Sequence, residues 1–142
     1  MGSSPSHIAA NTRFTNPSWY EGQNDEEGEL KIWSIRIGSV LGLGARHCLV
    51  MDGCYPGKKV CFEWTIINDE STFAHYATQH IYGQQCISLG RYKLSEVYEA
   101  CCEATHTDLK YSSSNNCNHW VNRACSNLGW KVNCQWNCRC IL

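Results

Sequence analysis

The sequence predicts an α+β fold in which an antiparallel sheet packs on two or three helices. Between residues 29 and 67, β-favouring residues form runs that are separated by glycine-containing turns. After residue 94, apolar residues recur at three- and four-residue steps over two segments, which is the spacing of amphipathic helices. The length of 142 residues is that of one domain with its own hydrophobic core.

The N-terminal segment differs in composition from the rest of the chain. Residues 1–28 are polar and end in the acidic run Asn24–Gly28, which predicts a flexible arm ahead of a single domain over 29–142. Gly2 followed by Ser6 fits the N-myristoylation pattern, and an expression leader explains the same residues equally well.

Three strands are predicted in the first half of the domain. The β-favouring runs Glu29–Ile37 and Arg46–Met51 are interrupted by glycines. Asp52–Gly57 has turn chemistry, and Lys58–Ile67 then returns as a strand, so the last two strands form a hairpin.

The hairpin predicts which residues face each other. If the chain turns near Tyr55, the numbers of paired residues sum to about 110. This pairing places Glu63 opposite His47 and Cys61 opposite Leu49, although a shift of one residue would turn Glu63 to the other face.

The segment 68–85 shows no clean period, so we predict a loop with at most one short strand there. Another strand is predicted at Cys86–Leu89. His75, His80 and His106 lie in sequence of loop character and are expected to be solvent-exposed.

Two helices complete the domain. Ser95 is the predicted N-cap of a helix that ends near Thr105. A second helix is predicted to begin near Asn116 and to stop at Gly129, with its apolar residues facing the core.

Cys117 is the candidate nucleophile. A turn-forming string, Ser112–Asn116, leads directly into the second helix, so Cys117 is expected in its first turn. The unpaired amides and the positive dipole end found there favour thiolate over thiol and can hold an oxyanion. Cys117 also shares the apolar face of the helix, so its thiol should point toward the sheet.

A nucleophilic thiol needs a general base, and His47 is the candidate. It begins a strand on which the second helix is expected to pack, and Glu63 is the candidate that orients its imidazole. His119 leaves the helix on another side and is predicted to be a packed or capping residue. Five or more of the 11 cysteines are expected to serve only in packing.

The composition limits the partners. The net charge of −1 and the lack of a long basic block give RNA binding no support. The chain contains no run of apolar residues long enough to be a transmembrane segment and no secretory pattern. The odd number of cysteines favours reduced thiols, which predicts a cytoplasmic protein.

No cofactor or structural metal is predicted. Cys134, Cys138 and Cys140 could bind zinc with a fourth ligand, but they lack a paired Cys-x-x-Cys knuckle. The zinc site is therefore kept only as a weaker alternative.

Two blocks of sequence carry a resemblance to known families. Asn116–Asn122, with the sequence Asn-Cys-Asn-His-Trp-Val-Asn, resembles the Asn-Cys-Glu-His-Phe-Val block of the lecithin:retinol acyltransferase-like family, which includes the small phospholipase A/acyltransferases. Arg46–Gly53 is similar to the histidine box of that family. The resemblance covers roughly residues 29–129 and implies a circularly permuted papain-like (NlpC-type) domain with a His47–Cys117 pair.

The departures from that family point to a viral relative. Glu63 stands where a second histidine is usual, the hydrophobic anchor is missing, and Asn118 and Trp120 replace the usual Glu and Phe. A chain with both boxes and no anchor looks most like the H-box/NC type of picornaviral 2A protein. The permuted desumoylating isopeptidases are a third family with a similar Asn-Asn-Cys-Asn-His string.

Two functions follow from these resemblances. The first is a thiol acyl hydrolase or acyltransferase that acts on an acyl-lipid or a thioester. The second is a non-enzymatic binding module for host factors, viral replication proteins or RNA, located in the host cell cytoplasm if the protein is viral. A desumoylating-type isopeptidase remains a further alternative.

Overall fold

The computed structural model describes residues 12–14, 26–36, 45–81, 83–105, 110–135 and 139–141. It contains eight strands and two helices within these ranges. In chain order they are β1 (Thr12–Phe14), β2 (Glu27–Arg36), β3 (Ala45–Tyr55), β4 (Lys58–Ile67), β5 (Glu70–Thr78), β6 (Gly83–Lys93), α1 (Leu94–Ala104), α2 (Cys117–Asn127), β7 (Asn133–Gln135) and β8 (Arg139–Ile141).

The fold is α+β. Five strands form an open antiparallel sheet in the order β5-β4-β3-β2-β6, and the short β1 adds in parallel to the β5 edge. The helices α1 and α2 contact each other and pack on this sheet. Strands β7 and β8 form a separate two-stranded sheet.

The predicted strands agree with the structure in part. β4 has the predicted bounds, whereas β2 begins at Glu27 and so takes two residues from the predicted arm. β3 runs on to Tyr55 because an irregularity between Asp52 and Tyr55 keeps the segment paired with β4. The hairpin therefore turns later, at Pro56 and Gly57, and Gly57 has a φ of 69°. Most of the arm lies outside the described residues, as does Gly2.

The prediction of a loop over 68–85 is wrong. β5 occupies nine of these residues, and it follows a two-residue turn in which Asn68 and Asp69 have φ values of 52° and 65°. These are the conformations of a hairpin turn that suits the twist of its strands. The strand shows no alternation because Thr72 to His75 are all buried, so its two faces are both covered. His75 is fully buried, and its predicted exposure is wrong, while His80 is exposed as predicted.

The helices lie close to their predicted positions. α2 begins at Cys117 and ends at Asn127, two residues before Gly129, which has a φ of 90°. The predicted N-cap of α1 is wrong, because the helix begins one residue before Ser95. The cap residue is Lys93, whose backbone N–H donates to Glu96 Oε1 at 2.8 Å. In the part of the chain that the structure describes, neither helix has the length and apolar character needed to cross a membrane.

The main core lies between the helices and one face of the sheet. Its largest fully buried apolar side chains are Trp64, Trp120, Phe62 and Phe73. A smaller cluster of Ile35, Cys48, Val50 and Cys61 covers the opposite face. The two faces alternate along each strand, so the face of a residue decides whether it can meet α2.

Six of the described cysteines outside the candidate site are buried in the core clusters, which confirms the prediction that five or more serve in packing. The buried members outside the candidate site are Cys48, Cys54, Cys61, Cys101, Cys102 and Cys125. None of the described cysteine side chains forms a disulfide bond. Cys138 and His106 lie outside the described residues, which hold no group of three metal-ligating side chains.

Candidate functional site

The first turn of α2 is fixed by a reciprocal cap. The side-chain oxygen of Asn116 accepts the backbone N–H of Asn118 at 3.0 Å and that of His119 at 3.3 Å. In return, His119 Nδ1 accepts the Asn116 N–H at 3.1 Å. His119 is therefore a capping residue, which is one of its two predicted roles, and Cys117 is held at the first helical position.

The segment before Cys117 is anchored to the rest of the core. Trp64 Nε1 donates to the Asn115 carbonyl at 3.0 Å, which ties the turn to β4. Arg123 donates to the Ala104 carbonyl at 3.0 Å and to Asn115 Oδ1 at 2.8 Å, which ties the same turn to the end of α1. The position of Cys117 is thus set by β4, α1 and α2 together.

Asn118 brings the predicted histidine and cysteine together. His47 is fully buried on β3, and its Nδ1 lies 2.5 Å from Asn118 Oδ1. The Cys117 thiol donates to the same oxygen at 3.7 Å. The Asn118 side-chain oxygen therefore bridges the two reactive groups, since it is hydrogen-bonded to both the Cys117 thiol and the His47 ring.

The contact with Asn118 bears on which ring nitrogen of a neutral His47 carries the proton. The Asn118 side-chain oxygen can only accept a hydrogen bond, so the proton of a neutral His47 ring is on Nδ1. His47 Nε2 is buried and has no hydrogen-bond partner among the described residues. Within the same part of the chain, no group fills the predicted orienting role.

The predicted pairing of Glu63 with His47 is wrong. Leu49 pairs with Phe62 rather than with Cys61, so the register differs by one residue from the predicted one. This shift moves Glu63 to the opposite face of the sheet, where it is buried and accepts a hydrogen bond from the Tyr76 hydroxyl. Glu63 therefore cannot orient His47.

Two of the amides expected for an oxyanion are already in use. The N–H groups of Asn118 and His119 donate to the Asn116 side chain. The backbone N–H of Cys117 is the remaining first-turn donor from the predicted set.

Sequence reasoning missed two buried polar residues, Asn118 in the site and His75 in the core. Asn118 is 7% exposed, and its only signal in the sequence was that it replaces the glutamate of the resembling family. His75 lies among the rings of Phe62, Phe73 and Tyr98, and burial lowers its pKa to about 3. His75 is therefore neutral in the folded protein at neutral pH and serves in aromatic packing.

Comparison with known proteins identifies no relative. No protein-family model, no curated protein and no solved structure matches this chain. The arrangement of His47, Cys117 and Asn118 is therefore the main indication of function.

Proposed function

We propose that this protein is a cysteine-dependent acyl hydrolase or acyltransferase with a circularly permuted papain-like fold. Cys117 is the nucleophile and His47 is the general base. The observation that carries this proposal is the contact of both side chains with one atom, Asn118 Oδ1, at 3.7 Å and 2.5 Å. Residues about 70 positions apart in the sequence are brought together in a buried site by this arrangement.

The order of the elements supports the permuted papain-like assignment. The histidine lies on a strand of an antiparallel sheet, and the cysteine follows later in the chain at the start of a helix packed on that sheet. This order is the one that the resemblance to the lecithin:retinol acyltransferase-like family implies. Glu63 is not a third member of this site, since it lies on the other face of the sheet.

The proposed reaction is acyl transfer through a thioester. Cys117 Sγ bonds to the acyl carbon, the bond to the leaving group breaks, and the thiol proton passes through His47 to the leaving group. Water or an amine then attacks the thioester and gives a proton to His47, which returns it to the sulfur as the acyl group departs. The substrate class is an acyl-lipid or a thioester.

The other buried thiols are poor competitors for this chemistry. Burial, with a smaller contribution from Glu63, raises the pKa of Cys61 to about 12. Burial likewise raises the pKa of Cys102 to about 11 and that of Cys101 well above its ordinary value. These thiols are almost entirely protonated at neutral pH, and only the thiolate is a good nucleophile.

Labelling with an activated thioester probe tests the proposal. We expect Cys117 to be acylated before the other thiols, and we expect His47→Ala to slow that acylation by about an order of magnitude or more. His80→Ala, which removes an exposed histidine, is the matched control and should leave the rate unchanged. Acylation of Cys117 no faster than of the half-buried Cys86, with no response to His47→Ala, would contradict the proposal.

A second candidate is a non-enzymatic binding module. The specific observation in its favour is the contact of His47 Nδ1 with the Asn118 side-chain oxygen, because a neutral imidazole in this arrangement carries a proton on Nδ1 and has no lone pair there to receive the thiol proton. In that case the protein would be a viral accessory protein of the H-box/NC type, and it would bind host factors, replication proteins or RNA in the cytoplasm. Retention of that binding by Cys117→Ala, together with absence of acyl transfer by the unaltered protein, would favour this candidate.

A further inference from the structure

We propose that Asn118 regulates the His47–Cys117 pair by keeping it in an inactive arrangement. This inference rests on the proposed function and adds a regulatory residue to it. The side-chain oxygen of Asn118 contacts both reactive groups, and all three side chains are almost completely buried. No other described side chain bonds to both His47 and Cys117.

The chemistry of the amide oxygen explains the inactive arrangement. An amide oxygen accepts protons in hydrogen bonds and does not donate them, so it holds the proton on His47 Nδ1. The same oxygen accepts a hydrogen bond from the Cys117 S–H, so the thiol proton points at Asn118 and not at the His47 ring. One atom therefore disfavours the His47 tautomer that can accept the thiol proton and engages that proton itself.

Activation follows if the Asn118 carboxamide turns away. Without that acceptor, the His47 ring can carry its proton on Nε2, which leaves a lone pair on Nδ1 to receive the thiol proton. The free-energy cost is modest, since each of the two hydrogen bonds to the Asn118 oxygen has a net contribution that corresponds to about a tenfold change in an equilibrium constant. Binding of a substrate or partner that displaces the carboxamide is enough to supply it.

Nitrogen NMR of the unaltered protein tests the first half of the proposal. Long-range proton–nitrogen spectra of histidine-labelled protein distinguish the two neutral tautomers, and His47→Gln assigns the signal. We expect His47 in the Nδ1–H form in the unaltered protein and loss of that form in Asn118→Ala. A His47 signal in the Nε2–H form in the unaltered protein would overturn the proposal without any variant of Asn118.

Alkylation with iodoacetamide tests the second half. In this reaction the Cys117 sulfur bonds to the methylene carbon, iodide leaves, and the thiol proton passes to His47. We expect Asn118→Ala to alkylate Cys117 about tenfold faster than the unaltered protein, the size of one released hydrogen bond.

Two controls separate regulation from loosening of the helix. His119→Ala removes the other half of the helix cap but keeps the Asn118 oxygen, and it should not accelerate alkylation. The gain in Asn118→Ala should disappear when His47→Ala is added. A similar gain in His119→Ala, or a gain that persists without His47, would refute the regulatory role.

The experiments distinguish failure of the regulatory role of Asn118 from failure of the proposed acyl chemistry. Faster alkylation that depends on His47, with no acyl transfer in any variant, would uphold the role of Asn118 and reject the enzyme. Acyl transfer by the unaltered protein, with no effect of Asn118→Ala on alkylation and no change of tautomer, would uphold the enzyme and reject the role of Asn118.

Discussion

The buried His75 should make the protein sensitive to mild acid. Its pKa falls from an ordinary value of 6.5 to about 3 because burial penalises the charged ring. The unfolded chain therefore binds a proton that the folded protein does not bind, over the range between those two values. The contribution of His75 to folding stability is fully present at pH values above its ordinary pKa, and it is lost as the pH falls toward its pKa in the folded protein.

The size of this loss follows from the same two values. Between about pH 7 and about pH 4.5, His75 should cost about 2.5 kcal/mol of unfolding free energy. His75→Phe removes the titrating group and keeps a ring that suits the neighbouring Phe62, Phe73 and Tyr98. Burial raises the pKa of Tyr98, so Tyr98 does not titrate in this range.

Urea unfolding at the two pH values measures the effect. The unaltered protein should lose about 2.5 kcal/mol more than His75→Phe between them, because the other titrating groups are shared by both proteins. His80→Ala is the matched control and should lose as much as the unaltered protein. Equal losses in His75→Phe and the unaltered protein would refute the assignment of His75 as a histidine that stays neutral on folding.

Two further predictions concern the residues that shape the site and the sheet. Asn116→Ala removes the oxygen that accepts two backbone N–H groups at the start of α2, and it should lower the free energy of unfolding, measured by thermal unfolding, by about 1 kcal/mol. Asn116→Asp keeps that oxygen and should cost little. Equal losses of stability in the two variants would contradict the capping role. Gly28→Ala would place a Cβ 2.6 Å from the Asp52 carbonyl oxygen, so we expect urea unfolding to show a loss of about 1–3 kcal/mol in the free energy of unfolding. The control Gln85→Ala, at an exposed position of β6, should change that free energy by less than about 0.5 kcal/mol.

Local patterns in the sequence were sufficient for much of the fold. The bounds of β4 and α2 follow from runs of β-favouring residues and from a cap followed by apolar residues at helical spacing. These signals involve residues within a few positions of each other, so they can be read without knowledge of the rest of the chain. The placement of Cys117 in the first turn of a helix is a local feature of this kind.

Tertiary structure decided the features that depend on distant contacts. β5 was missed because residues 72–75 are buried on both faces, and a strand covered on both sides has no alternating pattern. Glu63 was assigned to the wrong face because the pairing of β3 with β4 includes an irregularity near Asp52 that the turn sequence does not reveal.

The sequence by itself thus determined that a cysteine begins a helix and that a histidine lies on a strand ahead of it. Only the tertiary structure decided that Asn118 lies in contact with both, because that contact joins residues 71 positions apart across the packed face of the sheet. The neighbours of a side chain in a folded core depend on the packing of whole elements, and a one-residue change in register exchanges one set of neighbours for another.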